Sequence, residues 1–331
     1  MTSNSEATKA FDRTKPVLVI GGRGFVGSHI VRTLLGAGIK VHIFGPPMNV
    51  DLLGDVAGQF GETHGSVLDQ EAIDAAIAES GASSIVTNAA FATGAQGMMR
   101  SGDADAAKAM EINVEGFRRT LEAAHQAGIH RVVWSDSTVV YGPARLYGSE
   151  RVTEEDARRP TTFYGLTKVL GEDIARYYRD RHGMNVVGLR MALLLGADLW
   201  YQGAASAIAR VLSEARTGHT HTVTFHDERI DLMHVTDIAR GTLLALESPK
   251  PLAPHYNING FTASMSEIIA AAKAAVPGYE VVHDIVESPL VFPLISDAAF
   301  RRDTGYAPQY DLAAIVAELT QNNDHISGAR S

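Results

Sequence analysis

The sequence contains no cysteine among its 331 residues. This absence excludes disulfides, catalytic thiolates, and zinc or iron–sulfur sites that cysteine would hold. Basic residues are outnumbered, with 29 Lys and Arg against 38 Asp and Glu and a formal net charge of −9. An acidic chain lacks the positive face that nucleic acids and anionic lipids attract, so we expect neither as a partner.

Long apolar stretches are also missing. The longest uncharged apolar runs, such as residues 191–197, are far shorter than the roughly 20 residues that a membrane-spanning helix needs. The first 16 residues are polar and hold no apolar segment of a secretory signal. We therefore expect a cytoplasmic protein whose residues 1–15 form a disordered tail. A hydrophobic content of 45% and this length are typical of one large or two fused globular domains.

Short β-branched runs alternate with Ala-rich helical stretches through the first 190 residues. The predicted strands are apolar on both faces, as in a parallel sheet covered by helices on both sides. This pattern predicts an α/β fold with a Rossmann-like doubly wound sheet over residues 16–190. The looser remainder, residues 191–331, is predicted to form a smaller substrate-binding lobe, with residues 230–247 packing back on the first domain. Predicted strands are 17–21, 40–44, 84–88, 131–135, 186–190 and 256–258, and predicted helices are 25–37, 70–79, 103–127, 162–181, 203–214, 264–275 and 311–320.

A glycine-rich turn follows the first predicted strand and opens a helix. Its glycines permit a tight turn and a close approach of backbone to a pyrophosphate, and the helix N-terminus offers free N–H groups and a positive dipole. The context of strand before and helix after indicates dinucleotide binding. The residues assigned to this site are Gly21, Arg23, Gly24, Phe25, Val26 and Gly27.

The choice between NAD and NADP depends on the second strand. An acidic residue normally ends that strand and binds the adenosine ribose. Here the strand runs into Gly45 and two prolines, and the first acid, Asp51, comes later. Arg23 in the glycine loop is suited to a 2′-phosphate, although a solvated loop arginine is an equal alternative. The sequence therefore favours NADP slightly over NAD.

Tyr164 and Lys168 lie four residues apart on one face of a predicted helix. A phenol is a poor acid or base at neutral pH unless nearby positive charge, such as an ammonium or an oxidised nicotinamide, lowers its pKa. The strand that ends near Ser137 delivers hydroxyl groups to the carboxyl edge of the sheet, where ligands of such folds bind.

Together these motifs resemble the extended class of the short-chain dehydrogenase/reductase superfamily, in its sugar epimerase/dehydratase-like branch. The resemblance covers most of the chain, through the glycine loop, residues 88–90, 113–116, 137–142, 164–168, 189–190, 229–237 and 256–258. It implies that Ser137 polarises the substrate oxygen, Tyr164 is the general acid and base, and Lys168 binds ribose and lowers the pKa of the tyrosine. It further implies a helper role for Asn113 in the proton path or in helix geometry. Cofactor contacts are implied for Ser66, Val67, Asn88, Ala89 and Ala90, although the usual acid beside the adenine is Ser66 here.

Departures from the family pattern bear on the substrate. The related dehydratases carry an Asp-Glu pair where this chain has Thr138 and Val139, so dehydration is not expected. The epimerases have an asparagine shortly after the Leu-Arg of the sixth strand and an Arg-Pro pair in the last quarter, both serving a nucleotide diphosphate. This chain is apolar or acidic at both places, at residues 191–194 and 287–290. Thr138 and Arg229 remain as substrate residues, with Arg229 suited to one carboxylate or, alternatively, to an ion pair with Asp231 or Asp237.

Several other residues receive a structural interpretation. The polar stretch 218–228 is interpreted as an exposed hairpin, and its His219, His221 and His226 are not assigned to a metal. Arg158 and Arg159 are interpreted as solvated charges. The aromatic pair Trp200 and Tyr201 is compatible with packing or with lining a pocket.

Three functions remain open. The first is an NAD(P)-dependent dehydrogenase or reductase for a small hydroxylated compound, such as a hydroxy acid, a sugar acid or a secondary alcohol. The second is a nucleotide-sugar epimerase, and the third is a dinucleotide-sensing protein without catalysis. The family's paired helices, here 103–127 and the helix of Tyr164, also predict a homodimer.

Overall fold

The computed structural model describes residues 10–93, 96–288 and 290–321. Its strands are β1 (Val17–Ile20), β2 (Val41–Gly45), β3 (Gly61–His64), β4 (Ser84–Thr87), β5 (Arg131–Ser137), β6 (Arg151–Val152), β7 (Asn185–Met191), β8 (Leu193–Leu195), β9 (Thr220–Phe225), β10 (Ile230–His234), β11 (His255–Ile258), β12 (Phe261–Ala263), β13 (Glu280–Ile285) and β14 (Leu294–Ile295). Its helices are α1 (Phe25–Gly36), α2 (Gln70–Ser80), α3 (Met98–Ala104), α4 (Ala106–Met110), α5 (Gly116–Gln126), α6 (Phe163–His182), α7 (Ala204–Ser213), α8 (Val235–Glu247), α9 (Met265–Ala275), α10 (Ala298–Thr304) and α11 (Leu312–Gln321).

The centre of the molecule is a parallel seven-stranded sheet in the order β11-β7-β5-β4-β1-β2-β3. Every residue of β1 is fully buried, because helices cover both faces. One face packs against α1 and α8, and the other packs against α2, α5 and α6. The strand order reverses beside β1, which is where a doubly wound sheet binds its ligand. The predicted Rossmann-like fold is confirmed.

The helix predicted at 103–127 is divided in the structure. Asp105 ends α3 and caps α4 by accepting a hydrogen bond from the backbone N–H of Lys108 at 2.9 Å. A π-helical turn, Glu111–Glu115, then connects α4 to α5. Helical periodicity continues through such a turn with one residue added, so a sequence pattern does not locate it.

The C-terminal lobe is built around α7, α9 and α11. It contains a three-stranded sheet in the order β12-β10-β8 and the two-stranded pairs β13-β9 and β14-β6. The hairpin expected at 218–228 is wrong, because β9 pairs in parallel with β13 rather than with a neighbouring segment. The lobe remains joined to the sheet domain, since α8 follows β10 directly and packs against α1.

Residues 10–15 of the predicted tail contact the sheet domain. Phe11 packs against its core, and Arg13 forms an ion pair with Glu247 at the end of α8. Residues 1–9 lie outside the described residues. In the described part of the chain, no helix combines the length and the apolar character that crossing a membrane requires.

Candidate active site

The loop between β1 and α1 requires glycine at two positions. Gly21 has a φ of 75°, in the left-handed region that side chains disfavour. A Cβ on Gly27 would lie 2.1 Å from the carbonyl oxygen of Gly21. The turn and the close helix–strand approach therefore depend on the absence of side chains.

This loop fits the pyrophosphate of a dinucleotide. Gly24 is the N-cap of α1 and supplies no side-chain hydrogen bond to the first turn, and no acidic side chain lies there. The N–H groups of that turn and the helix dipole are therefore directed toward an anion. On the other side of the loop, the backbone N of Ala89 would lie 3.3 Å from a Cβ on Gly21, so residues 88 and 89 lie directly against the glycine loop.

Arg23 is already paired with acidic side chains. Its guanidinium donates two hydrogen bonds to Glu62 on β3, at 2.5 and 2.7 Å, and one to Asp51 at 3.3 Å. The hydrogen bond with Glu62 is the largest cause of a raised pKa of Arg23, and the same contact lowers the pKa of Glu62. The positive charge that the sequence offered to a 2′-phosphate is therefore compensated within the protein.

Ser66 and Val67 lie on the connection from β3 to α2. The Ser66 hydroxyl accepts a hydrogen bond from the backbone N–H of Leu68 at 3.2 Å. Val67 is buried and would contact any side chain placed at Gly116 on α5. Their placement after β3 is compatible with the adenine side of the cleft, which the resemblance implied.

Tyr164 lies in the first turn of α6, and the start of that helix is held by two side chains. The Thr162 hydroxyl caps the helix by accepting a hydrogen bond from the backbone N–H of Gly165 at 3.0 Å. Asp103 on α3 accepts a hydrogen bond from the backbone N–H of Phe163 at 2.9 Å. These contacts set the position of the tyrosine ring relative to the end of β5.

The three predicted catalytic side chains converge. The hydroxyl of Ser137 lies close enough to Tyr164 to lower the pKa of the phenol, and the Nζ of Lys168 lies 5.4 Å from the centre of the Tyr164 ring. Lys168 also donates a hydrogen bond to the carbonyl oxygen of Ser135 at 2.6 Å and lies 5.3 Å from the centre of the Trp134 ring. Because Tyr164 and Lys168 lie four residues apart on one face of α6, the lysine side chain lies next to the tyrosine ring and against the end of β5.

Burial shifts the pKa values of both groups toward the uncharged forms. Burial raises the pKa of Tyr164, the neighbouring carboxyl of Asp136 and phenol of Tyr201 raise it further, and the nearby Ser137 hydroxyl opposes the shift. Burial also lowers the pKa of Lys168 to about 8, while the carboxyl of Asp136 opposes that change. Without additional positive charge the tyrosine is a neutral phenol at pH 7.

A buried ionic cluster of Asp136, Glu172 and Arg190 lies close to Lys168. Glu172 on α6 accepts a hydrogen bond from the Nε of Arg190 on β7 at 2.6 Å, and the same Nε lies 3.8 Å from Asp136. Burial raises the pKa of Asp136, and the neighbouring charge of Glu172 raises it further. Burial would also raise the pKa of Glu172, but the hydrogen bond and charge of Arg190 lower it to about 2. Of the two carboxyls, Asp136 therefore takes up a proton more readily, and Glu172 is the one that keeps its negative charge.

The interpretation of Arg158 as a solvated charge is wrong. Its guanidinium is half-buried and donates hydrogen bonds to Glu172 at 2.9 Å and to Asp173 at 3.0 Å. Arg159 is exposed. The sequence signals nothing of this cluster, because its members come from three distant segments.

Asn113 lies in the π-helical turn and connects two parts of the site. Its Oδ1 accepts a hydrogen bond from the backbone N–H of Phe91 at 2.7 Å, and its Nδ2 donates to the hydroxyl of Thr167 on α6 at 3.0 Å. Asn88 accepts a hydrogen bond from the hydroxyl of Ser135 at 2.5 Å. Both asparagines therefore tie the segment after β4 to the catalytic elements.

An aromatic pair from the C-terminal lobe, Trp200 and Tyr201, brings the Tyr201 ring close enough to Tyr164 to affect its pKa. Tyr201 is partly buried, its ring meets the edge of Phe25 with the ring centres 6.0 Å apart, and it acts electrostatically on Tyr164. Asp198, just before it, has a φ of 70°, a strained conformation for a residue with a side chain. Trp200 is largely exposed. Tyr201 thus packs against the core, and its role in lining the site stays a prediction.

The proposed substrate residues are placed differently from one another. Thr138 follows Ser137 directly in a short 3₁₀ turn, Thr138–Val140. Arg229 is exposed, donates a hydrogen bond to the carbonyl oxygen of Thr262 at 3.2 Å and lies 3.7 Å from Glu267, so its ion pair is with neither Asp231 nor Asp237. The structure does not bring it to the catalytic hydroxyls.

The two stretches in which the epimerases carry diphosphate-binding residues correspond to 191–194 and 287–290 here, and all of these residues except Pro289 are described. Leu193 lies on β8, beside Leu232 of β10. At the second place Glu287 is exposed, and Pro289 lies outside the described residues.

Comparison with known proteins identifies the family. The sequence profile of the NAD dependent epimerase/dehydratase family matches residues 17–259. The chain is 28% identical over 241 residues to the mitochondrial L-threonine 3-dehydrogenase of Bos taurus, a match that covers 69% of this chain but only 62% of that protein. It is 27% identical over 325 residues to the UDP-glucose 4-epimerase of Rhizobium meliloti strain 1021, covering 91% and 94% of the two chains.

A solved structure agrees with this assignment at the level of the fold. The UDP-glucose 4-epimerase of Thermus thermophilus, in complex with NAD, superposes with a TM-score of 0.78 at 24% identity. That superposition covers 95% of this chain and all of the other. The chain belongs to the NAD dependent epimerase/dehydratase family, within the extended class of the short-chain dehydrogenase/reductase superfamily.

Proposed function

We propose that the protein is a nicotinamide-dependent dehydrogenase that oxidises a small hydroxylated substrate, or reduces the corresponding carbonyl compound, through Ser137, Tyr164 and Lys168. The observation that carries this proposal is the convergence of the three side chains at the end of β5, beside a glycine loop that fits a dinucleotide. A protein that only sensed the dinucleotide would have no use for a buried phenol paired with a lysine.

Each residue has a part in proton transfer. Ser137 donates a hydrogen bond to the substrate oxygen, and Tyr164 accepts the hydroxyl proton during oxidation or returns it during reduction. Lys168 and the oxidised nicotinamide contribute the positive charge that opposes the effect of burial on the tyrosine. The nicotinamide, when bound, supplies the hydride acceptor or donor. In the reduction direction Tyr164 is already in the protonated form that the reaction needs.

The substrate class follows from what surrounds this centre. A nucleotide sugar requires clamps for its diphosphate, and the first clamp position is apolar here, at Leu193 on β8. Tyr201 and Phe25 add aromatic surface near the catalytic tyrosine. These features support a hydroxy acid, a sugar acid or a secondary alcohol over a sugar nucleotide.

The cofactor is proposed to be NAD(H). The sequence alone favoured NADP because of Arg23, but its bidentate pairing with Glu62 removes the free positive charge that a 2′-phosphate needs. The carboxylate beside it would also repel a phosphate. This arrangement supports binding of an unphosphorylated ribose.

The test is a panel of hydroxy acids, sugar acids, secondary alcohols and sugar nucleotides, with the absorbance of NADH as readout. We expect NADH formation with a member of the first three classes. Tyr164→Phe should reduce kcat by at least about 100-fold with little change in NAD affinity. Tyr177→Phe, which alters an exposed tyrosine on the same helix, is the matched control and should leave kcat unchanged. Interconversion of sugar nucleotides without net NADH would instead establish the epimerase, and an active Tyr164→Phe would contradict the mechanism.

A further inference from the structure

We propose that Glu214, His219 and His221 form a binding site for a divalent transition-metal ion of the zinc type, in the C-terminal lobe. The Nδ1 of His221 lies 2.9 Å from the Oε2 of Glu214, and the Nε2 of His219 lies 3.6 Å from the same oxygen. One donor atom from each residue falls within 4.8 Å of the other two.

The donor set matches the chemistry of such ions. Two imidazole nitrogens and one carboxylate oxygen are ligands that zinc uses in proteins, with the remaining position left to water. Bonds of about 2.0–2.1 Å place neighbouring ligand atoms on tetrahedral zinc roughly 3.3 Å apart. The separations of 2.9 and 3.6 Å bracket that value, so small side-chain rotations suffice.

The three side chains are presented by fixed backbone. Glu214 is the C-cap residue of α7. His219 directly precedes β9 and His221 lies within it, and both imidazoles lie on the side of Glu214. The backbone of His219 is held on both sides, because its N–H donates to the carbonyl oxygen of Arg216 at 3.1 Å and its carbonyl oxygen accepts from Glu280 at 3.0 Å.

The imidazole of His219 supplies a second observation. Its Nε2 atom is shielded from solvent and lies 3.6 Å from the Oε2 of Glu214, too far for a hydrogen bond, and its ring lies parallel to that of Tyr279. The nitrogen therefore faces the carboxylate without a hydrogen bond to it, and a metal ion bound to both atoms would satisfy it. The site is still open enough for an ion to enter, since the side chain of Glu214 is 37% exposed.

Two further residues of the same sequence stretch, His226 and Asp227, do not belong to the cluster. Asp227 instead accepts hydrogen bonds from the backbone N–H and the hydroxyl of Ser266, both at 2.7 Å. The ring of His226 stacks on the ring of Phe225. The carboxylate comes from Glu214, on the far side of the turn between α7 and β9. A metal ion at this site would stabilise the turn between α7 and β9. Helix α7 itself begins directly after the segment that carries Tyr201.

The test is a calorimetric titration of the EDTA-treated and desalted protein with ZnCl₂. We expect about one zinc ion per chain. Loss of a residue that only hydrogen-bonds to a metal-binding side chain typically weakens metal affinity about 10- to 100-fold. His221→Asn and His219→Asn each remove a metal-binding side chain itself and should weaken zinc binding by more than that. His226→Asn makes the same change on the same segment outside the site and should leave the affinity unaltered. Loading with Co²⁺ should give absorption bands in the wild type and in His226→Asn that are absent from His221→Asn.

Thermal unfolding gives an independent readout that does not involve the nicotinamide site. Zinc at about a hundredfold excess over its Kd should raise the Tm of the wild type by roughly 3–6 °C and leave that of His221→Asn unchanged. Dehydrogenase activity should be the same in both. The proposal is overturned if less than about 0.2 zinc binds per chain, or if His221→Asn binds zinc as the wild type does. It is also overturned if zinc binding is lost instead in His182→Asn, a variant at a second pair of histidines, where the rings of His182 and His125 lie 4.1 Å apart.

Discussion

Two buried carboxyl groups beside Arg190, Asp136 and Glu172, have pKa values shifted in opposite directions, so their substitutions should have different effects on stability. Burial raises the pKa of Asp136, so we expect this carboxyl to carry the proton of the pair, and Asp136→Asn, which keeps a neutral group of the same shape, should change the free energy of unfolding by less than about 1 kcal/mol. Glu172 is ionised, so Glu172→Gln leaves Arg190 buried without its counter-charge and should cost about 3–5 kcal/mol. Urea unfolding of the two variants measures the difference. Equal losses would mean that the charge is shared between the two carboxyls.

Lys168 should lower the stability of the protein at neutral pH. Its pKa is about 8 in the folded protein against an ordinary value of 10.5, because burial disfavours the charged form. Below pH 8 both states carry the proton and the folded state bears the full cost. Between pH 8 and 10.5 the unfolded chain binds more protons, so this cost disappears as pH rises.

Lys168→Met should therefore raise the Tm at pH 7 by roughly 2–5 °C while abolishing activity. The gain should shrink when the same scans are made at pH 9.5. A Tm at pH 7 below that of the wild type would show that the hydrogen bond to Ser135 outweighs the cost of burying the ammonium.

The ion pair between Arg23 and Glu62 should determine cofactor preference. Glu62→Gln keeps the shape of the side chain but releases the guanidinium, so we expect kcat/KM with NADP to rise by about 10-fold relative to NAD, as for a gain of one charge-assisted hydrogen bond. Arg23→Ser should leave the use of NAD almost unchanged. Steady-state kinetics with both cofactors decide the matter, and a wild type that prefers NADP would refute the proposed role of Glu62.

At the level of secondary structure, the N-terminus of α6 positions the catalytic tyrosine. Thr162→Ala removes the cap and should cost about 1 kcal/mol in the free energy of unfolding. Because Tyr164 lies in the first turn, kcat should fall by about 10-fold with little change in NAD affinity, as expected when a reacting group is misplaced. Thr162→Ser retains the hydroxyl and should restore both quantities. A Thr162→Ala variant with normal kcat would show that Asp103 alone holds the turn.

The elements that sequence predicts well are those with local signals. The glycine loop and α1 follow from backbone requirements at Gly21 and Gly27, and α6 follows from its periodicity and its cap. In contrast, β3 has no apolar alternation, and β9 finds its partner 60 residues later in β13. Pairing over such a distance depends on the packing of the whole lobe, which no short pattern encodes.

The residues of the candidate site differ in the same way, since some are predictable from their local sequence and others depend on contacts between distant segments. Tyr164 and Lys168 share one helix turn, so their spacing alone predicts their proximity. Glu172 and Arg190 lie on different elements, and only the pairing of β5 with β7 brings Arg190 against the lysine side of the site. Likewise, Tyr201 comes from a segment that is distant in sequence, and nothing in the local pattern signals its effect on Tyr164.

At the scale of the whole molecule, the exposed face of α6 is the proposed dimer interface. α5 and α6 pack together within one chain and leave Leu166 and Tyr177 exposed, 39% and 58% respectively, about three turns apart on one helix face. A twofold contact through these helices would cover both. Tyr177→Glu should convert a dimer into a monomer in light scattering at micromolar concentration, and a monomeric wild type would contradict the proposal.

The chain passes repeatedly between the sheet domain and the C-terminal lobe. β7 leads into β8, β10 leads into α8, and β11 leads into β12, with at most two residues between the members of each pair. A truncation after residue 190 would remove both α8, which covers α1, and β11, which pairs with β7. The remaining fragment would present β7 as an uncovered edge strand prone to self-association. The two lobes are therefore expected to unfold in one cooperative transition and not as separable modules.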